Sequence, residues 1–263
     1  MDPAYVQEYE QFELNHWWFV ARRQFVCELL DRYAHGSPDP AWLDVGCGTG
    51  VLLAAYARIR NKLGLEVEPA SVAGARAKGL NVVQIDRDWD LQRYGRFDVI
   101  TLCDVIEHLQ DDRAAINSAH AALAPGAVVL VTVPALRSLW SDHDVVNHHF
   151  RRYSMPELVK LFDPVQWDVC YRSYFSSLLL PLIWSTRQLN NVKKRLRPKP
   201  PRHDLSWGPA WMDRALLTVF RAEVRMLRRT RMPLGSSIAL VARKREAAPA
   251  EAAPANRLAV PAP

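Results

Sequence analysis

The chain has 263 residues, 49% of them apolar, and a formal net charge of +6. That length and composition allow one large domain, or one domain with an insertion, around a sizeable core. Four scattered cysteines (Cys27, Cys47, Cys103, Cys170) form no CxxC pair, which argues against a disulfide framework or a zinc ribbon and leaves no metal expected.

The net charge hides an asymmetry. Residues 187–245 carry 16 Lys and Arg against 3 Asp and Glu, whereas residues 1–186 carry 17 against 23. A basic region attached to an acidic one points to a polyanionic neighbour, membrane or nucleic acid.

The opening MDPAYVQEYEQFE is acidic and polar and does not read as a secretory signal, which predicts a cytoplasmic protein. Apolar residues at mixed three and four spacing predict a helix over 5–35, interrupted afterwards by Ser37–Pro40. Within that helix HWWFVARR, residues 16–23, places three large aromatics beside two arginines. AWLDVG (41–46) reads as a buried parallel strand and 51–59 as the helix after it. KLGLEV (62–67), NVVQI (81–85), FDVITL (97–102) and AVVLVTV (127–133) read as further strands. Helices are expected over 69–78, with Pro69 in the first turn, and over 111–123, stopped by Pro125–Gly126. A short helix (155–162), a sixth strand (165–171), a long helix (210–229) and a seventh strand (236–244) follow. Strands alternating with helices predict a doubly wound α/β fold. The Ala/Pro-rich end, 246–263, reads as a disordered tail.

The first strand runs into Asp44-Val45-Gly46-Cys47-Gly48-Thr49-Gly50. Ligands of open α/β sheets bind beyond the carboxyl ends of the strands, and glycines there let the backbone pass close. The spacing is GxGxG, not the GxGxxG of dinucleotide sites, and Asp44 would repel a phosphate. Glu66 ends the second strand, where a carboxylate can accept from both hydroxyls of a ribose. Asp86 follows the third, placed to meet an adenine amino group. The ligand implied has a cationic or zwitterionic arm, a ribose and an adenine.

These stretches, with FDVITLCDVIEHL and LAPGAVVLVTVP, resemble the class I S-adenosylmethionine-dependent methyltransferases, nearest the group holding the ubiquinone-type O-methyltransferases (the methyltransferase type 11 group). The resemblance covers roughly residues 40–135 and the last strand. It implies a Rossmann-like seven-stranded sheet of order 3-2-1-4-5-7-6 with the last strand antiparallel and helices on both faces. It implies S-adenosylmethionine as cofactor, held by Asp44, Gly46, Cys47, Gly48 and Gly50 in the loop, by Glu66 and Asp86, and at the methionine end by Cys103 and Asp104. One departure is Ala127, where a second glycine commonly follows Pro-Gly.

Methyl transfer from a sulfonium needs no acid, but a hydroxyl or ammonium acceptor must lose a proton, and histidine is the expected base. His108, just past the fourth strand, and His149, after the fifth, are the candidates, each with an alternative role in packing or loop structure. Arg151, Arg152 and Tyr153 follow at once and suit an anionic substrate, or alternatively a solvated loop or a salt bridge back to the acidic half. HWWFVARR reads as a cover over the cofactor cleft. Its Trp18 would meet substrate and Arg22 or Arg23 the cofactor carboxylate; the alternative is simple packing on the sheet. Methyltransferases of bacterial glycan gene neighbourhoods look similar here, and in Val133–Ala135, Leu139–Ser141, Asp144 and His149–Ser154.

YFSSLLLPLIWS (174–185), too short to span a bilayer, precedes a basic run and the long arginine-rich helix. Residues 174–231 are therefore expected to contact an anionic membrane surface, at the inner face, or to serve as a lid or dimer contact; nucleic acid is disfavoured. The expected organisation is an N-terminal cover (1–40), a methyltransferase core (41–172), a basic and apolar insertion (173–235), the last strand (236–245) and the tail (246–263). The expected reaction is O-methylation of a small or lipid-linked acceptor. A soluble metabolite, and a non-catalytic cofactor-binding partner of a glycan enzyme, remain the alternatives.

Overall fold

The computed structural model describes residues 10–34, 38–86, 90–196 and 209–246. The tail from 247, the first nine residues and most of the basic run at 197–208 lie outside these.

A seven-stranded sheet organises the chain, in the order β3-β2-β1-β4-β5-β7-β6. Its strands are β1 (Trp42–Val45), β2 (Lys62–Glu66), β3 (Val82–Gln84), β4 (Phe97–Cys103), β5 (Leu123–Pro134), β6 (Trp167–Phe175) and β7 (Ser237–Lys244). β1 to β5 pair in parallel, and β7 runs antiparallel between β5 and β6. The order reverses between β1, which leads outward to β2, and its other neighbour β4. The carboxyl ends of these two strands therefore open a crevice.

The central strands are apolar on both sides because helices cover both faces. On one face Leu43, Val45, Ile100, Leu102, Val129 and Val131 pack with Ile116 and Ala119 of α5 (Asp112–Ala122). On the other, Trp42, Val99, Val128 and Leu130 meet α2 (Trp17–Tyr33), α4 (Pro69–Ala77) and α9 (Ala210–Leu227). Burying side chains such as Phe25, Leu29 and Leu30 of α2 contributes roughly 1.5–3 kcal/mol each. Trp17 meets Phe220 of α9 edge-on at 6.3 Å, and Arg228 forms a two-armed pair with Glu28 at 2.7 and 2.9 Å.

Several boundaries differ from expectation. The single helix over 5–35 breaks at His16, whose Nδ1 accepts the Trp18 amide and starts α2 afresh; α1 covers residues 10–15. Pro125–Gly126 does not precede β5. The strand begins at Leu123, opposite Phe97, and carries the Pro-Gly as a bulge before Val128 pairs with Val99. β6 extends to Phe175, opposite Ser237, so the expected boundary at 173 cuts through a strand. After it come α8 (Leu180–Leu196), with Pro181 in its first turn, and α9. Glu223 of α9 is fully buried and accepts the amides of Ser177 and Leu178 at 2.8–3.0 Å, which fixes the entry to α8. Among the described residues no helix is long and apolar enough to cross a membrane.

Candidate functional site

The glycine loop lies between β1 and the short helix α3 (Val51–Ala55). Gly46, Gly48 and Gly50 all have positive φ, of 69°, 55° and 76°. At Gly46 a Cβ would stand 2.7 Å from Val105, and at Gly50 2.3 Å from Leu80, so the loop needs glycine for close approach as well as for conformation. Glu66 turns its carboxylate onto the loop. One oxygen accepts the Gly48 amide at 2.8 Å; the other accepts Val67 and Glu68 at 2.8 and 2.9 Å. Asp86 is exposed just past β3, and the Ile85 amide donates to the Glu66 carbonyl.

Asp44 is buried beneath the loop. Trp42 Nε1 donates to Thr101 Oγ1 at 2.9 Å, and the Thr101 hydroxyl donates to Asp44. Burial pushes the Asp44 carboxyl up to about 7, against the opposing pull of Thr101 and Arg22. Glu13 of α1 completes the surround: its carboxylate accepts the Thr49 hydroxyl at 2.9 Å, and burial raises it too. Lys78 pairs with Glu10 and donates to the Thr49 carbonyl at 2.8 Å.

Arg22 reaches from α2 to the end of β4, where it pairs with Asp104. Its guanidinium lies 5.1 Å from the Trp18 ring centre and 5.7 Å from that of Phe19. Arg22 and Trp18, expected at the cofactor and the substrate, thus stand together at the end of β4, beside Asp104. The narrow cavity between α2 and the loop holds about 40 Å³, lined by Glu13, Phe19, Arg22, Asp44, Gly46 and Cys103. Burial pushes the Cys103 thiol up to about 12 and raises that of Cys47 as well, so both are neutral. Three acidic side chains around a glycine loop fit a ligand bearing a sulfonium and an ammonium and disfavour a phosphate.

A second cluster sits just beyond Asp104. The turn Ile106–His108 carries Glu107 and His108. The loop after β5 forms α6 (Asp142–Val146), where Ser141 and Asp144 make a capping box. His148, at φ 56°, turns the chain back so that His149 Nδ1 meets Asp144 Oδ1 at 2.9 Å. Burial would raise the Asp144 carboxyl, but His149, Arg152 and the Ser141 amide outweigh it and hold the group well below the usual carboxylate range. An ionised Asp144 fixes the Nδ1–H tautomer of His149 and leaves Nε2 for other work. The His108 and His149 rings stand edge to face at 4.6 Å. Glu107, fully buried, has no hydrogen-bond partner at either carboxylate oxygen among the described residues, and burial pushes it up to about 8. One donor atom each from Glu107, His108 and His149 lies within 4.8 Å of the others.

Arg152 and Tyr153, expected at the acceptor, face inward. Arg152 is 4% exposed and donates to Asp144 at 2.8 Å and to the Ala135 carbonyl at 3.0 Å. Tyr153 donates to Asp112 at 2.8 Å. Their physical role here is to seat the loop, because Asp144 and Asp112 outcompete solvent for them. Arg151 holds Asp112 and the Gln110 carbonyl, both at 2.7 Å, while staying partly exposed. Sequence reasoning missed Glu13, Thr101 and Glu107. Only Glu107 had a signal, its place beside His108.

A family model described as a methyltransferase domain matches residues 18–193. The ubiquinone biosynthesis O-methyltransferase of Histophilus somni is 32% identical over 151 residues, covering 49% of this chain and 62% of that protein. That of Xanthomonas axonopodis pv. citri is 29% identical over 133 residues, covering 45% and 56%. The match thus spans little more than half the length of these relatives. Among solved structures, a chain from the complex of the Haloferax volcanii Trm112 methyltransferase activator with a putative methyltransferase superposes with a TM-score of 0.59 at 16% identity, over 93% of this chain and 96% of that one. A SAM-dependent methyltransferase from Archaeoglobus fulgidus gives 0.52 at 17%, over 84% and 94%. At these identities the structures speak to the fold, which they share.

Proposed function

The chain belongs to the methyltransferase-domain family, the class I enzymes whose cofactor is S-adenosylmethionine, and on that premise we propose that it methylates an oxygen of a small or lipid-linked acceptor, with His149 taking the acceptor's proton. When bound, the cofactor supplies a methyl group on a sulfonium, displaced in line with a neutral thioether as leaving group. Asp44, Glu66 and the loop glycines would hold it, with Asp104 and Cys103 at its methionine end. The chain's own contribution is to orient the acceptor, keep water out and move one proton.

The observation that carries this reading is the Asp144–His149 pair, buried beside Glu107 and His108 immediately past the end of β4. Asp144 stabilises the imidazolium that forms when His149 accepts a proton. Arg152, from beneath, keeps Asp144 ionised. Phe19 and Val26 of α2 close the cofactor side against water. α8 borders the acceptor side: Gln188 donates to the Ser138 carbonyl at 2.8 Å, and Arg187 stands 3.9 Å from Asp144. That placement supports a role for the insertion in acceptor binding. Its exposed Leu182, Trp184 and Leu189, beside a basic run, support a lipid-linked acceptor at an anionic surface.

The test is transfer from methyl-labelled S-adenosylmethionine into a cell extract separated into lipid, small-molecule and polymer fractions. Label in lipid, stable to conditions that cleave methyl esters of carboxylates, supports ether formation on a lipid-linked acceptor. Label confined to water-soluble molecules makes the insertion a lid. No label, with cofactor binding intact, rejects the catalytic reading.

A further inference from the structure

We propose that a groove along β6, the outer strand of the sheet, binds an organic phosphate through Arg113, Lys160, Arg172 and Arg245. The groove holds about 720 Å³, within the roughly 300–1,000 Å³ of small-molecule clefts. Its walls come from the first turn of α5, the end of α7 (Met155–Val159) with the turn after it, β6, and the residue following β7. Trp167 opens β6 and Arg245 follows β7, so the groove reaches the amino ends of the parallel strands. The cofactor crevice lies at the carboxyl ends of β1 and β4, with β5 and β7 between it and β6.

The sequence builds a firm floor here. The Asp163 carbonyl accepts the Gln166 and Trp167 amides at 3.0 and 2.8 Å, and its carboxylate accepts the Val165 amide at 2.9 Å, which closes a tight turn into β6. The buried Trp167 ring meets Phe162 at 5.4 Å and His120 of α5 at 5.0 Å, both edge to face. Two of the cations are tied to this frame by main-chain carbonyls: Arg113 donates to Lys160 at 2.9 Å, and Arg245 Nε to Trp167 at 3.2 Å.

Neither contact neutralises a charge. Among the described residues none of the four cations forms an ion pair. Asp163 and Asp168 also line the groove, so two positive charges remain in excess. Glu157, which feels Lys160, is already held by Arg137 and the Ser154 hydroxyl. Like charges gathered without partners repel, and a bound dianion relieves them. Guanidinium groups present paired N–H donors that match phosphate oxygens, and a phosphomonoester is dianionic above its second pKa of about 6. Val159, Pro164 and Val169 give an apolar wall for the organic part of the ester. The site stands apart from methyl transfer: it needs neither the cofactor nor His149.

The experiment is a calorimetric titration of the full chain with phenyl phosphate at pH 8 and low salt. One phenyl phosphate per chain is expected, and binding should persist when S-adenosylmethionine is saturating. Arg172→Ala and Arg245→Ala should each weaken it about tenfold, the scale of one charged hydrogen bond. Arg229→Ala, which removes an exposed arginine outside the groove, should bind as the parent does. Phenyl sulfate, a monoanion of the same shape, should bind at least about tenfold more weakly. Circular dichroism confirms that each variant is folded, and Lys160→Ala replaces any that is not. Absence of binding, equal binding by the folded groove variants, an equal loss in Arg229→Ala, or displacement by S-adenosylmethionine overturns the site. Equal affinity for the sulfate overturns the match to a dianion, and the proposal with it. Vesicles containing phosphatidic acid, compared with phosphatidylserine vesicles of equal charge, separate the two sources of such a group. Displacement of phenyl phosphate by phosphatidic acid alone assigns the phosphate to a lipid headgroup, and no displacement assigns it to a soluble ester. Each of these supports the groove as a phosphate site, whereas equal displacement by both vesicles would reduce it to a general attraction of charge and overturn it.

Discussion

Arg22 of α2 pairs with Asp104 at the end of β4, joining the N-terminal helix to the strand edge where the cofactor's methionine end is expected. Asp104 is held at φ 57°, in the left-handed region, and Thr132 Oγ1 donates to it at 3.3 Å. Arg22 also acts electrostatically on Glu13, Asp44 and Glu107. It is therefore the cation common to the acidic cofactor ring and the histidine cluster. Arg22→Ala should cost about 1–3 kcal/mol of stability, the scale for removing a charged hydrogen-bond partner from a mostly buried carboxylate. Cofactor affinity should fall as well. Thermal melts and calorimetry check both, and an unchanged variant would show that the pair is incidental.

Glu66 spends both carboxylate oxygens on backbone amides of the glycine loop and its own turn. Binding a ribose there must exchange or share the Gly48 contact. Glu66→Ala should weaken S-adenosylmethionine binding by on the order of 1–3 kcal/mol. Equal affinity in variant and parent would sink the ribose assignment.

Asp44 gives a pH signature. Its carboxyl is raised to about 7 in the fold, from an ordinary aspartate value of about 3.9. Between those values the folded chain holds a proton that the unfolded chain has lost, so stability falls as pH rises through this window and levels off above it. The difference corresponds to a few kcal/mol at most, on the order of 1.4 kcal/mol per unit. Asp44→Asn should be more stable than the parent at pH 8, and the gap should close towards pH 4, while cofactor binding weakens. Melts across that range test this; a gap of constant size would refute the assignment to Asp44.

The glycine loop was legible because Asp44 and the glycines follow β1 in contiguous sequence and Glu66 ends β2; the sheet order came with the family resemblance that these stretches carry. Glu13 was not legible, since nothing local shows that a helix residue 36 positions upstream lies against Thr49. Nor was the Glu107–His149 cluster, which exists only because β4 and β5 are neighbours and His148 reverses the chain. Arg151 to Tyr153 were ambiguous for a related reason: the partners that seat them, Asp112 and Asp144, come from elsewhere in the chain. In HWWFVARR, Trp17 packs on α9, while Phe19 and Arg22 line the cavity beside the glycine loop.

α1 lies across the glycine loop, where Glu13 accepts the Thr49 hydroxyl at 2.9 Å, so cofactor entry is expected to displace it. Lys78–Glu10 is one of the ties that hold it, with side chains 31% and 21% exposed. A partly exposed pair contributes about 0.2–1 kcal/mol. If opening limits entry, Glu10→Ala should raise the association rate by about 1.4- to 5-fold, that free energy expressed as a rate. Stopped-flow fluorescence from Trp17 and Trp18 reads the rate. An unaltered rate would mean that α1 does not gate the loop through this pair.

The last prediction concerns the two helices between β6 and β7. α8 exposes Leu182, Trp184, Leu189 and Val192, and α9 exposes Trp211 at 71% along with Met212, Val219 and Met226. Isolated exposed apolar residues are ordinary, but two tryptophans on adjoining segments of a strongly basic region suit an interface of lipid and headgroup. No helix need cross the bilayer for this. Electrostatic attraction would bring the surface in and the tryptophans would hold it, so the two contributions separate experimentally. The chain should sediment with vesicles containing phosphatidylserine at low salt and be released at high salt. Trp184→Ser with Trp211→Ser should weaken sedimentation at every salt concentration while leaving cofactor affinity unchanged. Sedimentation equal in variant and parent would reduce the contact to charge alone. No sedimentation at low salt would make this face a lid or a surface for protein, and would move the acceptor back into water.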